Sequence, residues 1–164
     1  MKDAYGRAPA RPVQKAERGT VVAVVLTWHG RIGLFKRSRL VSHDAGLWHC
    51  VTGFAEDGCT PRVQALLELF EETGLLVAEL TAFRTGPVLE LGDDRGGFWK
   101  VHTFHAETER RRLQLNWEHD SYRWVRPRFL VRFDGQVPWL RHVLSAALAP
   151  EPIQLGHAHP GDAA

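Results

Sequence analysis

The feature that most limits what this chain can become is the segment Thr60–Gly74, TPRVQALLELFEETG. Thr60 can cap a helix N-terminus, Pro61 is preorganised for the first helical position, and Gly74 suits the left-handed residue just past a helix end. The spacing predicts a helix that closes at about Thr73. At about 100° per residue, Val63, Leu66 and Phe70 share one side, with Leu67 at its margin. That side is the expected apolar face. Glu68, Glu71 and Glu72 share the opposite side. They crowd the C-terminal turns, where the helix dipole presents partial negative charge, and they lie three and four residues apart, where like charges repel. No Lys or Arg within the helix lies four residues away to relieve them. A solvated acidic face is the common reading of such a trio. A local rule broken without local compensation also marks functional sites. A cation would supply the compensation: Mg²⁺ or Mn²⁺ takes carboxylate oxygens and leaves positions open for water and phosphates.

Around this helix the chain reads as strands. Thr20–Trp28 is a β-branched apolar run, His29-Gly30 turns the chain, and RIGLFKRS follows as a second strand ending in Lys36, Arg37 and Arg39. RLVSHDAG is a loop and LWHCVTGF a short strand. LLVAELTAFRTGPVLEL supplies one or two strands, FWKVHTFHAET another and SYRWV a short one. ERRRLQLNWEHD is mostly loop, and VPWLRHVLSAAL a terminal helix. Strands flanking a helix, with a second helix at the end, make an α/β or α+β domain. The predicted boundaries are a loosely ordered segment 1–18, one domain over 19–148 and a loosely ordered tail 149–164. The whole chain has 164 residues and a net charge of +2, so bulk charge gives no support to nucleic-acid or membrane binding. No apolar run approaches the ~20 residues of a membrane span. The first residues lack the apolar core of a secretory signal. Two cysteines are too few for a disulfide scaffold. A soluble protein of a reducing, cytoplasmic compartment is expected.

The helix and its approach carry a resemblance. Gly53, Glu68, Leu69, Glu71, Glu72, Gly74 and Leu75 stand in the unbroken register of the Nudix hydrolase signature. The preceding GLWHCVTG resembles the family's approach to it, keeping Gly46, Trp48 and Gly53. The signature's first Glu is Cys59 here, its Arg is Leu67, and Val51-Thr52 replaces a Pro-Gly. The resemblance implies an α/β/α sandwich with a mixed β-sheet and a loop–helix–loop motif for metal and phosphate. It implies Mg²⁺ or Mn²⁺ on Glu68, Glu71 and Glu72, and hydrolysis of a diphosphate bond in a nucleoside diphosphate linked to another group. With Cys59 and Leu67 in place of the supporting Glu and Arg, a second role stays open, a nucleotide-like ligand sensor without turnover. The expected partner is a small nucleotide-like molecule; a homodimer stays open.

Other candidates have two readings each. Glu118 resembles the acid that completes the metal site in several family members, or is an ordinary loop acid. Lys36, Arg37 and Arg39 resemble residues that hold the diphosphate, or form a solvated strand end. Trp48, Phe98, Trp99 and Tyr122 could stack on a base, but core packing is the commoner role. His49, Cys50 and Cys59 lack the spacing of a zinc site. No Ser/His/Asp triad is specified, and Glu109–Arg112 reads as a solvated loop.

Overall fold

The computed structural model describes residues 16–150. The expectations for residues before 16 and after 150 lie outside them. Seven strands form one mixed sheet: β1 (Glu17–Trp28), β2 (Arg31–Arg37), β3 (Trp48–His49), β4 (Val51–Phe54), β5 (Leu80–Gly92), β6 (Phe98–Thr108) and β7 (His119–Val125). Helix α1 (Pro61–Thr73) and helix α2 (Leu140–Ala147) complete it. β1 starts at Glu17, slightly inside the segment expected to be loose.

β1 is the axis of the domain. It pairs in parallel with β6 along nearly its whole length. On its other side it pairs with β2 only at the hairpin, Thr27↔Ile32 and Trp28↔Arg31, where His29 and Gly30 both adopt positive φ. Beyond that the two strands splay. Residues 48–54 fill the wedge, pairing first with β2 and then antiparallel with β1. The segment LWHCVTGF is therefore two strands rather than one, because a single strand cannot follow two diverging partners. LLVAELTAFRTGPVLEL is one long edge strand, β5, entered through a 3₁₀ turn at Val77–Glu79.

Successive residues of β1 point to opposite faces, and both faces are covered. Ala23 and Val25 join α2 residues Leu140, Val143 and Leu144 in one core cluster. Val22, Val24 and Leu26 join Ala65 and Leu69 of α1 in the other. One helix lies on each face, which makes the expected α/β/α sandwich.

The face of α1 is a correction. Its ends are as the sequence indicates: the Thr60 hydroxyl accepts from the Val63 N–H at 3.3 Å, and Gly74, at φ 71°, donates to Phe70 O at 2.8 Å. The buried residues, however, are Gln64, Ala65, Leu69, Glu72 and Thr73. Val63, Leu67 and Phe70, expected on the apolar packing side, are 45–49% exposed. Helical periodicity sorts residues onto sides, and which side faces inward is fixed by the sheet. Here the inner side carries acids.

Candidate active site

A cavity of about 660 Å³ opens on the α2 side of the sheet. Strand order arranges its wall. β7 and β2 bring Glu118 and Arg37 to one end, together with Ser42, His43 and Asp44 of the loop after β2. β4 contributes Thr52, Gly53 and Phe54 in the middle, where Glu68 and Glu71 of α1 reach in. β6 and β5 form the far end.

Gly53 is what admits the helix. A Cβ on it would stand 1.9 Å from Glu68 Oε1 and 2.0 Å from Glu68 Cδ. Only hydrogen at that place lets the carboxylate lie across the strand. Gln64, one turn earlier, donates to Glu68 Oε1 at 2.9 Å and orients it. Burial pushes the Glu68 carboxyl up to about 7, with Glu72, Glu71 and Glu118 adding to the effect and the Gln64 hydrogen bond opposing it.

Glu72 lies behind the wall. It is fully buried, with Oε2 at 2.5 Å from His119 Nε2 and Oε1 without a protein partner. Burial raises the Glu72 carboxyl well above the usual range; Glu118 raises it further, and Arg37 opposes. Burial and the Arg37 guanidinium lower His119 to about 4. Burial drives both partners toward their uncharged forms. His119 was not among the sequence candidates; its position next to Glu118 was the only signal for it.

Glu118 is held from both sides. Its N–H donates to Asn116 Oδ1 at 3.0 Å, and its carbonyl accepts from the Ser38 N–H at 2.7 Å. It faces the same cavity as Glu68 and Glu71. Of the three basic candidates, only Arg37 lines that cavity, its Nε donating to His43 O at 3.0 Å. Lys36 and Arg39 do not line it, and Arg39 is exposed. Among the four aromatic candidates Trp99 lines the cavity, whereas Trp48 packs edge-on against Phe133 and Tyr122 lies over Phe35. Cys59 and Leu67 are not part of the wall.

The donor set on the wall consists of hard carboxylate oxygens from two separate elements, Glu68 and Glu71 of α1 and Glu118 ahead of β7. That chemistry fits a divalent cation such as Mg²⁺ or Mn²⁺ and does not suit zinc. As the side chains stand, no three His, Cys, Asp or Glu groups among the described residues are close enough together to enclose an ion. No helix of the described residues is long and apolar enough to cross a membrane.

The NUDIX domain family model matches residues 16–146. No curated protein sequence matches the chain. Among solved structures, a Nudix hydrolase from M. smegmatis, RenU, is similar at TM-score 0.63 and 24% identity, over 76% of this chain and 80% of that one. The Nudix domain of Shewanella oneidensis NrtR, solved with ADP ribose, is similar at TM-score 0.60 and 19% identity, over 87% and 95%. A bifunctional NMN adenylyltransferase/ADP ribose pyrophosphatase from Francisella tularensis, solved with AMP and a Mn ion, is similar at TM-score 0.62 and 16% identity. That match covers 82% of this chain and 42% of that one. At these identities the structures speak for the fold. The family model, running from the start of β1 into α2 and across the acid-bearing helix, places this chain in the Nudix family.

Proposed function

We propose that this chain is a phosphohydrolase that cleaves a diphosphate bond in a nucleoside diphosphate linked to another group, nucleoside triphosphates included. The observation that carries the reading is the entry of the Glu68 carboxylate, over the bare backbone of Gly53, into a cavity that Glu71 and Glu118 also line. Glu68, Glu71 and Glu118 would hold Mg²⁺ or Mn²⁺ there, with Glu72 behind them. When bound, the ion supplies charge neutralisation for the diphosphate and lowers the pKa of a water.

The remaining work belongs to this chain's own groups. Arg37, held by His43 O, offers a guanidinium at the Glu118 end of the cavity and suits a phosphate oxygen. A carboxylate must take the proton of the attacking water. Glu68, held up to about 7, and Glu118, anchored by Asn116, are the two groups positioned for it. Glu72 and His119 form the backing layer that keeps the helix acids and the start of β7 in register.

The test is turnover across a panel of nucleoside diphosphate derivatives with Mg²⁺ or Mn²⁺, followed by Glu68→Gln and Glu118→Gln. Glu118→Gln is expected to lower kcat more than it raises KM, because it acts on charge that develops in the transition state. Ligand binding without product release across the whole panel would refute hydrolysis and leave the sensor role.

A further inference from the structure

The cavity is polarised across the sheet. Every charged side chain on its wall comes from β2, α1, the Glu118 segment or the loop after β2. The strands at the other end contribute Val21, Leu91, Trp99 and Val101. Apart from the indole N–H, none of these side chains carries a hydrogen-bonding group. Phe54 stands at the boundary, 59% exposed, with its ring centroid 6.0 Å from that of Trp99 at an interplanar angle of 50°.

Trp99 is a fixed surface. A Cβ on Gly19, its register partner on β1, would come 3.1 Å from Trp99 Cζ3, so one edge of the indole rests against backbone. Part of the ring packs into the core cluster of the α2 side, and the remainder faces the cavity. An exposed Phe beside a pinned Trp, at the mouth of a cavity, is an apolar surface that water covers poorly.

We propose that this end binds the nucleobase of the substrate by stacking on Trp99 and Phe54, without reading its hydrogen-bonding edge. The substrate class is then a nucleoside diphosphate derivative in which any base is accepted and larger ring systems are favoured. The proposal rests on the hydrolase reading for the position of the phosphates. Stacking on an aromatic side chain is tolerant of sequence because every base presents a π-face. Edge readout by side chains needs placed donors and acceptors, and the side chains of this wall offer only that indole N–H.

The test uses ligands without a diphosphate bond, so that binding is measured apart from hydrolysis. AMP, GMP, UMP and ribose phosphate are titrated calorimetrically into the 164-residue chain with Mg²⁺. AMP and GMP should bind within about threefold of each other, UMP more weakly, and ribose phosphate weakest. Trp99→Leu should weaken AMP by roughly 5–150-fold, the range expected of one base–aromatic stack. Trp99→Phe should recover most of that, and Phe54→Ala, at an exposed position, serves if Trp99→Leu does not fold. Discrimination between AMP and GMP of tenfold or more would overturn the proposal. So would equal binding of AMP and ribose phosphate, or full AMP affinity in Trp99→Leu and Phe54→Ala. Turnover of a diphosphate substrate that carries no base as fast as one that carries adenine overturns stacking and leaves the hydrolase intact. AMP binding through Trp99 with no turnover of any diphosphate does the reverse.

Discussion

The two sides of α1 invert the usual arrangement. An ordinary surface helix buries an apolar stripe and turns its charges to water. Here Glu72 is fully buried and Glu68 partly so, while Val63, Leu67 and Phe70 are about half exposed. Both choices cost stability. Apolar surface left in water forgoes about 25 cal/mol per Å², and buried carboxylates lose hydration. The fold tolerates this because Ala65 and Leu69 still join the core and because β1 feeds an apolar cluster on each face of the sheet. The contrast teaches that α1 is oriented by how Ala65 and Leu69 seat against the sheet, and that its acids turn inward with them at a cost in stability.

The largest effect is expected where the inner side meets the strand. Gly53→Ala puts a Cβ on top of the Glu68 carboxylate. The clash is with the far end of a flexible side chain, so Glu68 should swing aside and the fold should survive. A displacement of about 1 Å at reacting groups can cost 100-fold in rate. Turnover should therefore fall by about that factor while the thermal midpoint hardly moves. Wild-type turnover in a folded Gly53→Ala protein would remove Glu68 from the reaction.

Next comes the buried layer behind the acids. Burial, with Arg37 and His119, lowers His49 to about 3. Its unfolded value is near 6.5, so between these limits the unfolded chain binds a proton that the folded chain refuses. His49 therefore removes stability as pH falls below about 6.5, by up to about 1.4 kcal/mol per pH unit. Glu68 and Glu72, with raised values, act in the opposite sense and are common to wild type and variant. Urea denaturation at several pH values should show His49→Gln gaining on wild type as the pH drops from 6.5 to 4. Parallel curves would show that His49 protonates freely in the fold.

Glu68→Gln tests whether the inner side trades stability for function. Without metal, removing one of several mutually repelling, partly buried carboxylates should stabilise the protein by about 0.5–2 kcal/mol. For a chain of this size each kcal/mol raises the thermal midpoint by about 2–4 °C. A lower midpoint in chelator would mean that the Gln64 hydrogen bond outweighs the repulsion.

Much of this architecture is legible in the sequence. The Thr60-Pro61 start and the Gly74 stop bound α1 by local chemistry alone, and the β-branched run of β1 identifies the central strand. The register of Gly53 with Glu68 through Glu72 marked the motif even with Cys59 and Leu67 in supporting places. What was not legible depends on distant partners. Periodicity put Glu72 and Phe70 on different sides of a helix, but only the sheet decides which side turns inward. Arg37 lines the cavity and its neighbour Lys36 does not, because the strand pleat alternates side chains. The Glu72–His119 contact joins residues 47 apart in the chain, and no local pattern announces such a pair. Trp99 reads as a core aromatic from sequence, and only the strand order shows that it also faces the cavity.

The smallest effect is expected on the outer side, at Leu67→Arg, and its smallness is informative. Leu67 is 45% exposed, so an Arg there keeps its guanidinium in water while its stem covers the same apolar neighbours. It also gains Glu71 one turn on, an i,i+4 pair worth about 0.2–0.5 kcal/mol. Lost leucine burial and the new pair should nearly cancel, leaving stability within about 0.5 kcal/mol of wild type by denaturant titration. A charge at a buried apolar position of the same helix, Leu69→Arg, should instead unfold the domain, since Leu69 is 1% exposed. If Leu67→Arg were destabilising by several kcal/mol, the outer side would have to be covered in solution, and the inversion of α1 would belong to the isolated domain alone.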